Sequence, residues 1–507
     1  MDKMGLKKKV VSGTVWVFIT QILTQAVALI KNIILARILS PDDFGLFGIA
    51  LVVFSLLEAF SRSGFDVALI QKKEDIRDYL DTAFVVNIGR GVVLFLLLFF
   101  SAPLVATFFN RAEIVRVVRA VSFVFLLNGF VNPGTIYFSR ELEFKKQFQW
   151  EMSRSISDII ITLSLVFFLR NVWVLVISMI SSIFTRVVVS YLIHPYRPGF
   201  SFNPDYARSL FRFGKWVLGS GILIYLITQG DDAFVGKFLG ITALGFYRIA
   251  YRFSNLPATH ITHVISRVTF PMYSKLQDDI PKLREAYLKV LQLTAFLSFP
   301  LAGLIFVLAP DFTRIFLGEK WLPMVPAMQV LCIFGVTRSF GATTGPIFQG
   351  VGKPNILTKL AAIQLIMLII IIYPLTSKFG ILGTAIAVVI PNIITQIIAG
   401  IKILNILKCN TSRFIKLLLF PLSSTGIIVI ILAIFINTYK MLMSVSNVNI
   451  GVFSVLIFLG AIGYLGVSYL IGRKFDYNVM KLISQIVRPQ KKEVIKNVSQ
   501  STKNYME

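Results

Sequence analysis

The strongest constraint on this chain is a series of apolar stretches, each about 20 residues long, recurring from one end of the sequence to the other. Coiled as a helix, such a stretch matches the roughly 30 Å hydrocarbon layer of a bilayer. In lipid every backbone N–H and C=O needs a partner within the protein, which leaves a helix bundle or a closed barrel. Uninterrupted apolar runs at 92–100 and 365–373 lack the alternation of a barrel strand. The sequence therefore specifies an all-α polytopic membrane protein. With 56% of its 507 residues hydrophobic and only 15% charged, the chain has too little polar surface to fold in water.

About fourteen segments qualify as transmembrane helices, the first over 11–39 and the last over 449–471. Lys7-Lys8-Lys9 ahead of the first resembles a secretion signal, but the apolar run passes Ala36 without a cleavage site and reads as a retained span. A net charge of +26 on a soluble protein would point to nucleic acid. Here the basic residues sort by loop. With the N-terminus in the cytoplasm, alternate loops and both tails hold roughly 34 of them, and the opposite loops about 9. That asymmetry predicts a protein of the cytoplasmic membrane with both termini cytoplasmic and no nucleic-acid partner. The amphipathic segments 140–154 and 273–289 fall on the same side and predict interfacial helices, and the basic tail predicts contact with anionic headgroups. Cys332 lies in a span and Cys409 in a loop, so no disulfide framework is implied.

Displacing the sequence against itself by 200 positions brings Trp16-Val17 onto Trp216-Val217, Gly45 onto Gly245 and Ile49-Ala50 onto Ile249-Ala250. With Ile22, Leu23, Leu39 and Leu56 there are nine identities over positions 16–56. Apolar composition inflates Ile and Leu matches, so the Trp and Gly pairs carry the inference. Six spans separate the two copies, so both enter from the same side and the repeat is parallel. The predicted architecture is a six-helix lobe over 1–200 and a second over 201–408, related by a pseudo-two-fold. Two additional transmembrane helices follow over 409–472, then a basic tail over 473–507.

An ordered series of short motifs runs along the chain. It starts with Leu35-Ala36-Arg37-Ile38-Leu39 and Phe44-Gly45 in the first hairpin, Glu141-Leu142-Glu143-Phe144 after the fourth span, and Tyr196-Arg197-Pro198-Gly199 before the second lobe. It continues with Arg267-Val268-Thr269-Phe270-Pro271, Leu276-Gln277-Asp278-Asp279, Leu283-Arg284, Gly318-Glu319-Lys320-Trp321 and Arg338-Ser339. In this order the motifs resemble the polysaccharide transporter family of lipopolysaccharide, O-antigen and colanic-acid exporters. That family belongs to the superfamily that also holds multidrug and toxin extrusion proteins and the lipid II flippase. The resemblance covers roughly residues 10–350. It implies fourteen spans, parallel six-helix lobes, alternating access and a polyprenyl-(di)phosphate-linked oligosaccharide as substrate. Membrane lipids, and polysaccharide polymerase or glycosyltransferases, are the partners it suggests.

Moving an anionic diphosphate and a hydrophilic glycan through lipid requires a wet cavity with cations for phosphate and polar or aromatic groups for sugar. Ionisable groups in spans are costly and normally face a cavity or a partner. The candidate substrate-binding cations are Lys31, Arg90, Arg248, Arg252 and Arg338; the competing reading pairs each arginine with a carboxylate and lets Lys31 snorkel to the interface. Arg248 and Arg252, four apart, share one helical face. Arginine grips phosphate as a bidentate fork. Arg186, near the end of its span, reads as snorkelling. Tyr247, Tyr251 and Asn255 are candidate sugar contacts. In-span acids are few: Glu58, Asp158, Asp231 and Asp232. Asp231 and Asp232 are candidates either for pairing with arginine or for coupling to a proton or sodium gradient. Pro257 predicts a kink, and Pro133-Gly134 and Gly345-Pro346 predict hinges. His260 and His263 lack a third ligand at metal-site spacing.

No phosphate-binding glycine loop, Ser/His/Asp set or aqueous domain stands out, so neither an enzyme nor a cofactor is expected. The leading expectation is a lipid-linked oligosaccharide flippase. Its rivals are a multidrug-type cation antiporter on the same fold, which would favour a carboxylate-rich cavity, and a non-transporting scaffold for polysaccharide assembly.

Overall fold

A computed structural model of the chain describes residues 3–61, 69, 75–141, 143–256, 269–270, 272–445 and 448–475. The expectations attached to Pro257, His260, His263, Arg267 and most of the basic tail lie outside those residues.

Among the described residues every regular element is helical. The first nine helices are α1 (Lys3–Ile38), α2 (Pro41–Ser61), α3 (Arg77–Phe109), α4 (Ile114–Gly129), the short α5 (Ile136–Arg140), α6 (Phe144–Leu169), α7 (Trp173–Ile193), α8 (Pro204–Phe238) and α9 (Ile241–Ser254). After α10 (Ile280–Phe312) come a π turn (Thr313–Leu317) and a 3-10 segment (Glu319–Met324). They lead into α11 (Val325–Gly350), α12 (Asn355–Leu407), α13 (Thr411–Leu442) and α14 (Ile450–Phe475). Local chemistry sets the boundaries. At α2, Pro41 occupies the first turn, and Ser40 and Asp43 cap each other: Asp43 Oδ2 accepts the Ser40 N–H at 2.9 Å, and Ser40 Oγ accepts the Asp43 N–H at 3.2 Å.

Ten of the described helices are long and apolar enough to cross a membrane, or eleven if α4 and the segment after it, bent by 70°, form one broken span. α12 holds two of the expected spans, joined at Gly380, whose φ of 58° and ψ of −138° interrupt the helix. Large apolar side chains such as Phe168, Leu192, Ile370 and Leu470 face outward, as lipid allows and water does not.

Packing divides the chain into two compact units: Met1–Phe253, Phe312–Leu331 and Ala361–Pro391 in one, and Ser254–Asp311, Cys332–Leu360 and Asn392–Glu507 in the other. These units cut across the lobe boundaries expected at 200 and 408. In the first unit α3 packs on α4, α6 on α7, α1 on α6 and α2 on α8. In the second, α13 pairs with α14, and a core of Tyr273, Tyr287 and Phe348 is fully buried.

Within the first unit the 200-residue repeat is a contact in space. α2 and α9 cross where Gly45 faces the carbonyl of Ile241 and Gly245 faces the carbonyl of Pro41; a Cβ on either glycine would lie 2.0 Å from that oxygen. Positions 41 and 241, like 45 and 245, are repeat equivalents, so the contact is self-complementary, as across a two-fold axis. Thr242 donates its hydroxyl to Asp42, and Arg248 reaches the carbonyl of Gly48 at 3.5 Å, each again 200 residues apart.

Candidate substrate-binding site

One end of the first unit is closed by the tip of the α1–α2 hairpin and the segment that follows α10. Helix α1 ends with carbonyls that have no donor one turn on. Lys320 Nζ donates to two of them, Leu39 O at 2.6 Å and Arg37 O at 3.1 Å, and the Trp321 indole N–H donates to Ala36 O at 2.8 Å. Trp321 is fully buried and meets Phe44 edge-on, 5.3 Å between ring centres. The Leu35–Leu39, Phe44-Gly45 and Gly318–Trp321 motifs, far apart in sequence, thus form one seal.

Deeper along α1, α8 and α9 lies a layer of charges. Lys31 is ion-paired with Asp158 of α6. The neighbouring Asn32, buried, accepts the Arg252 guanidinium at 3.1 Å. Arg248 is ion-paired with Asp232 at 2.7 Å, and Asp231 accepts the Tyr247 hydroxyl at 2.7 Å. Lys31 and Arg248 therefore each hold a carboxylate in this conformation: for Arg248 that is the competing reading, and for Lys31 it is neither of the two readings the sequence offered. Tyr247 is fully buried with its hydroxyl engaged, so it presents nothing to a sugar here. Arg252 is exposed, and among the described residues no carboxylate lies within ion-pair distance of it. Tyr251 is half-buried in the first unit; in the second, Asn255 is buried and Arg338 is exposed on α11.

Arg90 belongs to a different place, a polar cavity of about 440 Å³ inside the first unit. Its construction can be followed from the backbone. Gly91 and Gly129 let α3 and α4 approach closely: a Cβ at Gly91 would lie 2.7 Å from Phe125 O, and one at Gly129 3.0 Å from Asn87 O. The chain then breaks after Gly129, and Asn132 restarts it, its side-chain oxygen accepting the Gly134 N–H at 2.8 Å. Irregular backbone at membrane depth is tolerated where it lines a cavity. Arg90, Arg154 and Arg186 converge there with Glu58, Asn128 and Trp150. Arg186 lies over the Trp150 ring at 4.1 Å and reaches Glu151 at 3.7 Å, and Arg90 donates to Ser61 at 3.0 Å.

The Tyr196–Gly199 motif docks beneath this break. Asp81 accepts both the Tyr196 hydroxyl and the Gly199 N–H, and Asn132 Nδ2 donates to Tyr196 O at 2.7 Å. Burial, reinforced by Asp81, pushes the Tyr196 phenol up. His194 accepts the Tyr196 N–H on Nδ1 at 3.1 Å; burial, helped by the nearby Lys146, pulls its pKa down.

The sequence reading missed Arg154 and Trp150 and left Arg186 as a snorkelling residue. The signal was present in the spacing: Trp150, Arg154 and Asp158 stand at i, i+4 and i+8 on α6, a polar stripe on an otherwise apolar helix. Outside the four in-span acids named from the sequence stands Asp311 of the second unit, which is buried and ion-paired with Lys440 at 2.7 Å.

The described residues thus form a polytopic helical bundle in which two like hairpins meet about a two-fold, with buried ion pairs and a cationic cavity. The model of the polysaccharide biosynthesis protein family matches residues 34–326, and the chain belongs to that family. It is similar to the lipopolysaccharide biosynthesis protein WzxC of Escherichia coli K12, 27% identical over 425 residues, covering 82% of this chain and 86% of that protein. The teichuronic acid biosynthesis protein TuaB of Bacillus subtilis is 25% identical over 425 residues, covering 83% and 88%. Among solved structures, the lipid II flippase MurJ in an inward closed conformation superposes with a TM-score of 0.70 at 16% identity, covering 92% of this chain and 99% of that one. An inward-facing multidrug transporter of the MATE family gives 0.62 at 18% identity, covering 77% and 99%. At these identities the structural likeness establishes the fold.

Proposed function

We propose that this chain is a flippase that carries a polyprenyl-(di)phosphate-linked oligosaccharide across the cytoplasmic membrane by alternating access, for assembly of a surface polysaccharide. The observation that carries the reading is Arg252, on α9 of the second repeat's hairpin: its guanidinium is held by buried Asn32 rather than by a carboxylate. Keeping a charge at such a position is costly, which argues that the site serves an anionic ligand. A phosphate matches the guanidinium fork in charge and geometry. The neighbouring pairs Lys31–Asp158 and Arg248–Asp232 flank it, ready to exchange a carboxylate for phosphate.

With both termini cytoplasmic, as the basic loops favour, the Trp321 seal faces outward and the substrate enters from inside. The cycle makes and breaks no covalent bond of the substrate, so the chain acts as a transporter and not as an enzyme. Polymerase and glycosyltransferases that build the glycan are the partners this role calls for. The test is Arg252→Ala in cells lacking their own flippase, scored by surface polysaccharide with membrane insertion checked separately. Loss of export at unchanged insertion supports the reading. Wild-type export, or efflux of organic cations indifferent to glycolipid, counts against it.

A further inference from the structure

The cavity at the broken fourth span is distinct from the layer around Arg252 and asks for its own ligand. Three guanidiniums, those of Arg90, Arg154 and Arg186, line it against one lining carboxylate, Glu58. Arg154 is exposed to the space. Asn87 and Asn128 also line it, and among the described residues neither makes a side-chain hydrogen bond to the protein. Both amides are half-buried at the cavity wall and Arg186 is already shared with Glu151, so burial alone does not call for a ligand. Together the lining groups are, however, the set that reads a hydroxylated anion: amides for hydroxyl groups, guanidiniums for the charge, and an indole for a sugar face. At about 440 Å³ the space suits one sugar-sized group and not a whole oligosaccharide.

We propose that this cavity is a second binding site, specific for a single sugar unit bearing an anionic group, either a glycosyl phosphate or a uronate. It lies wholly within the first compact unit. The cavity rests on the flippase reading only for where such a sugar comes from: the phosphate-linked end of the lipid carrier in the first case, an acidic residue of the glycan in the second.

The experiment is calorimetric titration of the purified full chain in lipid nanodiscs with glucose 1-phosphate, glucuronate and glucose. At least one anionic sugar should bind, and glucose should bind roughly tenfold more weakly or not at all. Preference for glucose 1-phosphate assigns the carrier end as the source, preference for glucuronate assigns an acidic glycan residue, and equal binding assigns the anionic group in general; all three support the site. Arg154→Ala should weaken binding roughly 10- to 100-fold and Arg154→Lys less, while Asn128→Ala tests the amide without altering charge. Arg252→Ala should leave this binding intact while abolishing export, which separates failure of the cavity from failure of the flippase reading. If neither anionic sugar outbinds glucose, or if folded Arg154→Ala and Asn128→Ala both bind as wild type does, the proposal is overturned.

Discussion

Gly245→Ala should open the Trp321 seal by force. The substitution places a methyl 2.0 Å from the carbonyl oxygen of Pro41, 2.8 Å from its carbon and 3.3 Å from the amide of Gly45. Since ordinary contact begins near 3.4 Å, α9 must retreat from α2 by about 1.4 Å. All three atoms are backbone, so no side chain can rotate away. Overpacking of this kind costs about 1–3 kcal/mol, which corresponds to a roughly 5- to 150-fold shift from the closed toward the open state. The methyl also disturbs its partner. Because Gly45 makes the reciprocal contact, Gly45→Ala should have the same effect alone. The double variant should cost far less than the two together, since the first substitution has already separated the helices.

A cysteine at Ala36, fully buried beside Trp321, reports the opening. In a background with Cys332 and Cys409 replaced by serine, Ala36→Cys should react with a membrane-impermeant maleimide several-fold faster when Gly245→Ala is present. Gly426→Ala is the control, because a Cβ there meets nothing within 4 Å. Equal labelling rates for Gly245→Ala and Gly426→Ala would refute the claim that the glycine contact holds this end shut.

Trp321→Phe keeps the aromatic contact with Phe44 but loses the N–H donated to Ala36 O, at a cost of about 1 kcal/mol, and should raise the same labelling rate a few-fold. Asp158→Asn strands Lys31 and should destabilise the purified protein by an amount near the lower end of the about 3–5 kcal/mol typical of broken buried pairs, since both side chains are partly exposed, and so lower its thermal midpoint; Lys31→Met together with Asp158→Leu should recover most of it. His194 has its pKa lowered in the folded state, so folding holds it neutral: the stability it lends is present above its ordinary value of 6.5 and is lost as pH falls through the lowered folded value. Corrected for the intrinsic slowing of exchange in acid, the protection factors of the 194–203 linker should therefore fall as pH drops from 6.5 towards the folded value, and His194→Gln should flatten the pH response.

Much of this fold was legible because lipid leaves the backbone so few choices. The helical class, the hairpin at Pro41 and the repeat all follow from patterns that hydrocarbon enforces over short distances. Gly45 and Gly245 were readable as a matched pair, and the structure shows why both are glycine: each faces its partner's backbone. The candidate site was less legible because sequence shows which spans carry charge but not which charges meet. Lys31 and Asp158 are 127 residues apart, and nothing local to either announces the other. Arg186 reads as a snorkelling residue because its depth is legible in the sequence and its direction is not; in the structure it lines the cavity beside the break after Gly129. Gly318–Trp321 was recognised as a family mark, but its role as the cap on α1 requires the third dimension.

The repeat is symmetric in backbone and asymmetric in charge, and the two facts have separate consequences. Where α1 carries Lys31 and Asn32, the equivalent positions on α8 carry Asp231 and Asp232; where α2 has Gly48 and Val52, α9 has Arg248 and Arg252. A two-fold backbone lets the paired hairpins rock against each other with equivalent contacts on both sides, so neither position is strongly trapped. Identical charges on that frame would instead set like against like at the axis. The sequence avoids this by giving one copy space where the other has bulk: a Cβ at Gly48 would sit 2.8 Å from the Arg248 side chain. Arg248 then pairs with Asp232 of its own copy and crosses the axis only to the Gly48 carbonyl, while Arg252 crosses to Asn32. Asp231 is left with a tyrosine hydroxyl and, among the described residues, no cation of its own. A frame that can move both ways thus carries one unpaired guanidinium and one unpaired acid. On the flippase reading proposed above, phosphate would answer the first and a coupling cation the second, which would place both the direction and the cargo of the cycle in the residues where the two copies differ.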